Sequence, residues 1–224
     1  MTPAAPLGAD VPERLRQLHR RTEVGAVARV DLSPLTDRRR RADVLHGAGF
    51  APRPAGRAQR LRTLPDVVGP GLRLLCVGLN PSLYAADTGV GFGRPGNRFW
   101  PAALAADLAT VDRDPEHLFT EHRVGMTDLV KRATARADEL APDEYVEGLA
   151  RLDRLVACVE PAAVCLLGLD GWRRAVDRRA VPGWQGRNVG GRPAYVMPNP
   201  SGLNAHVTVA DLAAHLRTAL AGRT

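Results

Sequence analysis

Three short apolar runs stand out along the chain. Leu72 to Gly78 reads Leu-Arg-Leu-Leu-Cys-Val-Gly, Ala162 to Gly168 reads Ala-Ala-Val-Cys-Leu-Leu-Gly, and Ala194 to Met197 forms a third. Such runs, two of them closed by glycine, are the pattern of strands buried on both faces of a parallel sheet. Between them the period changes. Tyr145, Leu149, Leu152, Val156 and Val159 fall at spacings of 4, 3, 4 and 3, one apolar stripe that predicts a helix over 143–160, stopped by Pro161. Thr208 to Leu220 predicts a final helix, with Thr208 and Asp211 spaced as a capping pair. Asn97 is a suitable N-cap for a helix through Trp100 and Leu104 towards Leu108, with Pro101 in its first turn. Strands alternating with helices predict an α/β fold: a three-layer α/β/α sandwich with a central, mostly parallel sheet over about 65–220, the three runs lying side by side. Ligands of such sheets bind beyond the carboxyl ends of the strands.

The first part of the chain reads differently. Residues 1–70 are rich in Pro, Gly and Arg with weak periodicity. A short helix over Pro12–Glu23 is predicted from Leu15 and Leu18, and Arg38 to Arg41 is the densest basic cluster. Residues 53–62 read as a linker or mobile arm. The predicted division is a basic, partly flexible extension over 1–62 and one domain over 63–224. Residues 1–62 carry 13 arginines against 6 acidic residues, which accounts for the whole net charge of +7. A basic segment beside a neutral domain suits an electrostatic hold on a phosphate backbone. An Arg-rich solvated tail reflecting coding bias fits as well, since Lys131 is the single lysine. The three cysteines, Cys76, Cys158 and Cys165, form no CxxC pair and read as inert core residues. No apolar run is long enough to span a membrane and no secretory signal begins the chain, so a cytoplasmic location is expected. No metal-ligand cluster appears, and a monomer without cofactor or metal is expected. Neither GxGxxG nor a P-loop occurs, and the six histidines are scattered.

Two polar motifs follow predicted strands. Gly78-Leu79-Asn80-Pro81-Ser82 follows the first and runs on through Asp87, Gly89, Gly91 and Phe92. Asn199-Pro200-Ser201-Gly202-Leu203-Asn204-Ala205-His206 follows the last. Either Asn-Pro alone would be an ordinary turn. Two Asn-Pro-Ser triplets past strands of one sheet can face each other across a single cleft.

These two motifs resemble the signatures of the mismatch-specific uracil/thymine DNA glycosylases, a family within the uracil-DNA glycosylase superfamily. Asn97-Arg98-Phe99-Trp100 and Gly125-Met126-Thr127-Asp128-Leu129-Val130 resemble further stretches of that family, and the likeness runs from about Pro65 to about Arg217. The resemblance implies hydrolysis of the bond between a flipped-out uracil, or a related mismatched or damaged pyrimidine, and its deoxyribose in DNA. It gives Asn80 the task of orienting the attacking water. An amide is no general base, so slow hydrolysis is implied. Asn199 matches a donor to the departing base, Leu79 and Phe92 line and stack on that base, and Leu203 matches an apolar wedge filling the gap in the duplex. Ser201, Gly202, Asn204 and His206 would join Leu203 in contacting DNA.

Three positions depart from the family pattern. Ser82 replaces a glycine, and Ala205 replaces an arginine that often completes the wedge. Asp87 adds a carboxylate to the Asn80 loop, either as a turn residue or as the base that Asn80 cannot be. An iron–sulfur glycosylase of the same superfamily needs four cysteine ligands, and this chain has three. The other alternative is a non-catalytic binder of damaged DNA on the same scaffold, against which the presence of Asn80 argues.

Overall fold

The computed structural model describes residues 10–202 and 206–223. Leu203 and Asn204, two of the expected DNA contacts, lie outside the described residues.

The expected α/β sandwich is what the chain forms. Its sheet contains β4 (Leu74–Gly78), β5 (Val124–Asp128), β6 (Val164–Leu167), β7 (Gly183–Trp184) and β8 (Ala194–Met197), in the order β5-β4-β6-β8-β7. β4 pairs in parallel with β5 and β6, β6 in parallel with β8, and β7 runs antiparallel at the edge. The three runs singled out by apolarity are therefore adjacent, in one register set by Cys76 opposite Cys165 and Cys165 opposite Tyr195.

Alternate residues of these strands feed two cores. Leu74, Cys76, Cys165, Leu167, Tyr195 and Met197 pack on α4 (Phe99–Ala105), α5 (Pro115–His122) and α8 (Val209–Ala221). Leu75, Val77, Val164, Leu166 and Val196 face α6 (Pro142–Val159) and α7 (Leu169–Ala175) on the other side. Period-two alternation with apolar residues on both faces is what forces the sheet into the middle layer. On α6, Tyr145, Leu149, Leu152, Val156 and Val159 are all buried, as their spacing predicts. Thr208 caps α8 reciprocally with Asp211. The cap of α4 differs from expectation. The helix starts at Phe99 with Arg98 in the cap position, while Asn97 Oδ1 accepts the Phe99 N–H at 2.9 Å from one residue further back.

The segment expected to be a basic extension is a folded module. It consists of α1 (Val11–Arg21), β1 (Val27–Arg29), α2 (Arg38–Gly47), β2 (Phe50–Arg53) and β3 (Arg57–Arg60). The strands form an antiparallel sheet in the order β1-β3-β2. Val11, Leu15, Leu35, Leu45, Ala48, Phe50 and Ala58 are buried together as its core. The reading of residues 53–62 as a linker is corrected: β3 is the central strand, pairing with both neighbours. The module is fastened to the domain by charge pairs. Arg154 grips Asp43 at 2.6 and 2.8 Å, Arg16 grips Glu116 at 2.7 and 3.1 Å, and Arg62 grips Asp87 at 2.7 and 2.5 Å. Among the described residues no helix is long and apolar enough to cross a membrane.

Candidate active site

The carboxyl ends of β4, β5 and β8 converge on a cavity of ≈ 580 Å³. Leu79, Asn80, Asp87, Phe92, Asn199 and Ser201, all expected in the site, line it together. Gly202 and His206 flank the undescribed tip of the second motif and are not among its lining residues.

Asn80 follows directly on β4, and its loop is held by the segment after β5. Thr134 N–H donates to Pro81 O at 3.1 Å, and Leu83 N–H donates back to Thr134 O at 3.3 Å. The Asn80 amide has only one workable orientation here. Its Nδ2 donates to Arg132 O at 3.0 Å and Thr134 Oγ1 at 2.8 Å, and a carbonyl such as Arg132 O accepts only from the nitrogen end. The amide oxygen has no partner among the described residues, which makes it the end able to accept a hydrogen bond from water. After Pro81, Ser82 caps α3 (Leu83–Thr88), its side chain accepting the Ala85 N–H at 3.1 Å. The serine that departs from the family pattern thus has a local role that glycine could not fill.

Asn199 presents the opposite polarity. Its Oδ1 accepts the Ser201 N–H at 2.9 Å, closing a turn, so the other end of the amide is its donor end. It packs against Gly168, where an added Cβ would lie 3.5 Å from the Asn199 side chain. One amide offering an acceptor and another oriented as a donor suit a reaction that needs water on one side and a departing anion on the other.

Phe92 is half-buried and holds a left-handed backbone, φ 57°. A bulky side chain in that region is strained, and such strain persists where surrounding structure over-determines it. Here the fully buried Trp100 donates Nε1–H to Gly91 O at 2.9 Å, and Phe99 lies 4.8 Å from the Phe92 ring centroid to centroid. The aromatic wall is built in advance.

Arg98 was missed as a site residue. Its backbone N–H donates to Pro200 O at 2.9 Å, its Nη2 to Ser201 O at 2.8 Å, and its Nη1 to Val207 O. One side chain therefore bonds the described residues on either side of positions 203–205. The sequence shows the arginine, but only the fold brings it under a loop about 100 residues away.

Asp128, at the end of β5, was missed too. It pairs with Gly78 across the β4–β5 ladder and lines the cavity at 6% exposure. Gly78 is required here because a Cβ would collide with Asp128 Oδ1 and come within 3.0 Å of the Phe92 ring. Burial pushes the Asp128 carboxyl up to about 6; Lys131 and Arg151 pull it down, and Asp66 adds to the rise. Its carboxyl oxygens have no hydrogen-bond partner among the described residues. Below it lies a charge cluster. Asp66 accepts from Lys131 Nζ at 2.8 Å, Arg151 Nη1 at 2.8 Å and Thr127 Oγ1 at 2.6 Å.

Asp87 is expected either as a turn residue or as a base. It lies in α3, and both its oxygens accept from Arg62. The hydrogen bonds and charge of Arg62 hold its pKa below the usual carboxylate range, which makes it a poorer proton acceptor. The geometry supports an anchor between the module and α3.

The sequence model of the uracil DNA glycosylase superfamily matches residues 65–221. Among solved structures, a solution structure from Methanosarcina acetivorans, described as that of a candidate uracil DNA glycosylase, is 21% identical to this chain. The match covers 70% of this chain and 96% of that one, with a TM-score of 0.49.

Proposed function

Because the chain belongs to the uracil DNA glycosylase superfamily, we propose that it hydrolyses the N-glycosidic bond of uracil flipped out of DNA, in the manner of the mismatch-specific uracil/thymine enzymes. The observation that carries this reading is the pairing of Asn80 and Asn199 in one cavity with opposite hydrogen-bonding polarity. Asn80 Oδ1 accepts from a water and holds it at the sugar. Asn199 donates to the base as it departs with negative charge. Phe92 offers a π face to the flipped ring, an interaction worth about 1–3 kcal/mol. The deoxyribose passes through an oxocarbenium-like state, the water adds to its anomeric carbon, and the water's proton is lost to solvent. No strong base assists, so turnover is slow. The chain's one lysine, Lys131, is 2% exposed and bound to Asp66. It is no amine nucleophile for strand cleavage, and hydrolysis alone is expected. A base-release assay on oligonucleotides carrying uracil opposite guanine, uracil in single strands, thymine opposite guanine and ethenocytosine tests the reading. Release from none of them would refute it.

Asp128 makes the chemistry pH-dependent. The groups facing it are Lys131, Arg151 and Asp66. Protonated below about 6, it is neutral and can donate to the base; ionised above that value, it sets a negative charge beside a leaving anion. Uracil release should therefore fall as pH rises through about 6. Asp128→Asn, neutral throughout, should flatten that limb and raise release at pH 8 about 10-fold, one pKa unit's worth of interaction. An unchanged inflection in the variant would show that Asp128 does not face the base.

We assign Leu203 the wedge role, with Arg98 positioning it. Arg98→Ala should lower release from paired uracil about 10-fold more than from single-stranded uracil, because only the duplex must be held open. Equal losses on the two substrates would make Arg98 a general packing residue.

A further inference from the structure

The N-terminal module lies outside the span matched to the superfamily, yet it builds part of the cleft. Arg16, His19 and Arg20 of α1 and Arg60 of β3 line the same cavity as Asn80 and Asn199. The three α1 residues stand at i, i+3 and i+4, which puts them on one helix face. Arg16 is 2% exposed and bidentate on Glu116; its Nη1 is buried with no hydrogen-bond partner among the described residues. Arg20, half-exposed, reaches the same Glu116 carboxylate, so two guanidinium groups share one negative charge. Arg60 donates to Thr22 O and to His19 Nε2, the latter at 3.4 Å. Burial, then Arg60 and Lys131, push the His19 pKa down to about 4, so this histidine is neutral and adds no charge of its own. Of the other carboxylates lining the cavity, Asp87 is taken by both arms of Arg62, Asp114 Oδ1 accepts the Glu116 and His117 N–H groups, and Asp128 is buried at the end of β5. Arg94, on the loop after Phe92, also lines the cavity and forms no ion pair among the described residues.

The wall thus carries a surplus of positive charge, fixed in register with Asn80 by the ion pairs that fasten the module. A cavity of ≈ 580 Å³ is also larger than a single pyrimidine ring needs. We propose that the α1–β3 wall is a phosphate-binding surface for the DNA strand flanking the flipped nucleotide, making the module part of the substrate cleft. This rests on the glycosylase reading for the identity of the strand. The phosphates would be held at a set distance from the water-bearing amide, so the module contributes to register as well as affinity.

The test uses the full chain, since deleting the module would uncover the charged cluster beneath it. Arg20→Glu, at a half-exposed site, and Arg60→Gln are compared with Arg29→Glu, the same charge change as Arg20→Glu on the exposed strand β1. The probe is a fluorescent duplex containing one uracil. Dissociation constants and KM are measured across a potassium chloride series. Arg20→Glu should raise Kd and KM about 10-fold at low salt, and flatten the log–log salt dependence by about 0.9 for each phosphate that is no longer neutralised. Arg60→Gln should move both in the same direction, with the melting temperature checking its fold, and Arg29→Glu should match the parent protein. Unchanged Kd and salt slope in both cleft variants would overturn the proposal, as would an equal weakening in Arg29→Glu. Should the parent protein release no uracil while the binding slopes shift as expected, the glycosylase reading fails and the phosphate wall stands.

Discussion

Asn80→Ala is expected to slow uracil release about 100-fold or more, close to 2.7 kcal/mol of transition-state stabilisation, while binding to uracil-containing duplex is retained. Asn80 Nδ2 is spent on Arg132 O and Thr134 Oγ1, which aims the oxygen end of the amide rather than leaving it to rotate. A water held there is already placed for attack, and even a 1 Å misplacement of a reacting group can cost about 100-fold. Asp87, with both oxygens bound to Arg62, is not expected to replace it. Single-turnover rates with saturating enzyme isolate this step from binding. A rate within about threefold of the parent would remove Asn80 from the chemistry.

The largest effect on stability is expected at Asp66. Its carboxylate is 6% exposed and receives Lys131, Arg151 and Thr127. Arg151 also reaches Asp128 O at 2.9 Å, so the cluster lies directly beneath the site. Burial alone would raise the Asp66 pKa, but Arg151 and Lys131 outweigh it and hold the group at about 2. Because the folded value lies below the usual 3.8, its contribution is present above 3.8 and lost as pH falls through about 2. Asp66→Leu removes the only carboxylate bonded to these two cations among the described residues and leaves both charges buried. Breaking a buried pair in this way costs about 3–5 kcal/mol, a large part of the roughly 5–15 kcal/mol that holds a typical domain together. Urea unfolding should show that destabilisation, and Asp66→Asn, which keeps the shape, should show a smaller one. A midpoint unchanged in Asp66→Leu would mean that Lys131 and Arg151 find other partners or reach solvent.

What could be read from the sequence follows from where the signal resides. β4, β6 and β8 are buried on both faces, so each is a run of apolar residues that no loop would carry. β5 is equally buried but contains Gly125, Thr127 and Asp128. Thr127 is bonded to Asp66 and Arg151 and the Asp128 backbone carbonyl to Arg151, partners well separated in sequence, which hides the strand from a reading of hydropathy. The N-terminal module was hidden for a related reason. Its core is seven residues dispersed between Val11 and Ala58, its strands carry arginines, and much of its attachment is by long-range ion pairs. Proline, glycine and arginine content suggested a mobile arm because composition cannot report partners 100 residues apart.

The site divided along the same line. Asn80, Phe92 and Asn199 lie in motifs whose order along the chain reveals them, and the cavity gathers all three. Asp128 lay in plain view, but its burial depends on register with Gly78. Arg98 announces itself only through the loop it holds. Asp87 looked like chemistry because it is an acid in the right loop; Arg62, in the preceding module, takes up both its oxygens.

The central claim is hydrolytic release of a base by an amide-positioned water. It is tested most directly by incubating the parent protein with a duplex containing a single uracil opposite guanine, then measuring free uracil by mass spectrometry and the strand on a denaturing gel. The account predicts free uracil in amounts equal to abasic sites, with a strand that stays intact until treated with alkali. No free uracil, or a strand cut at the uracil without alkali and trapped on the protein by borohydride, would contradict it.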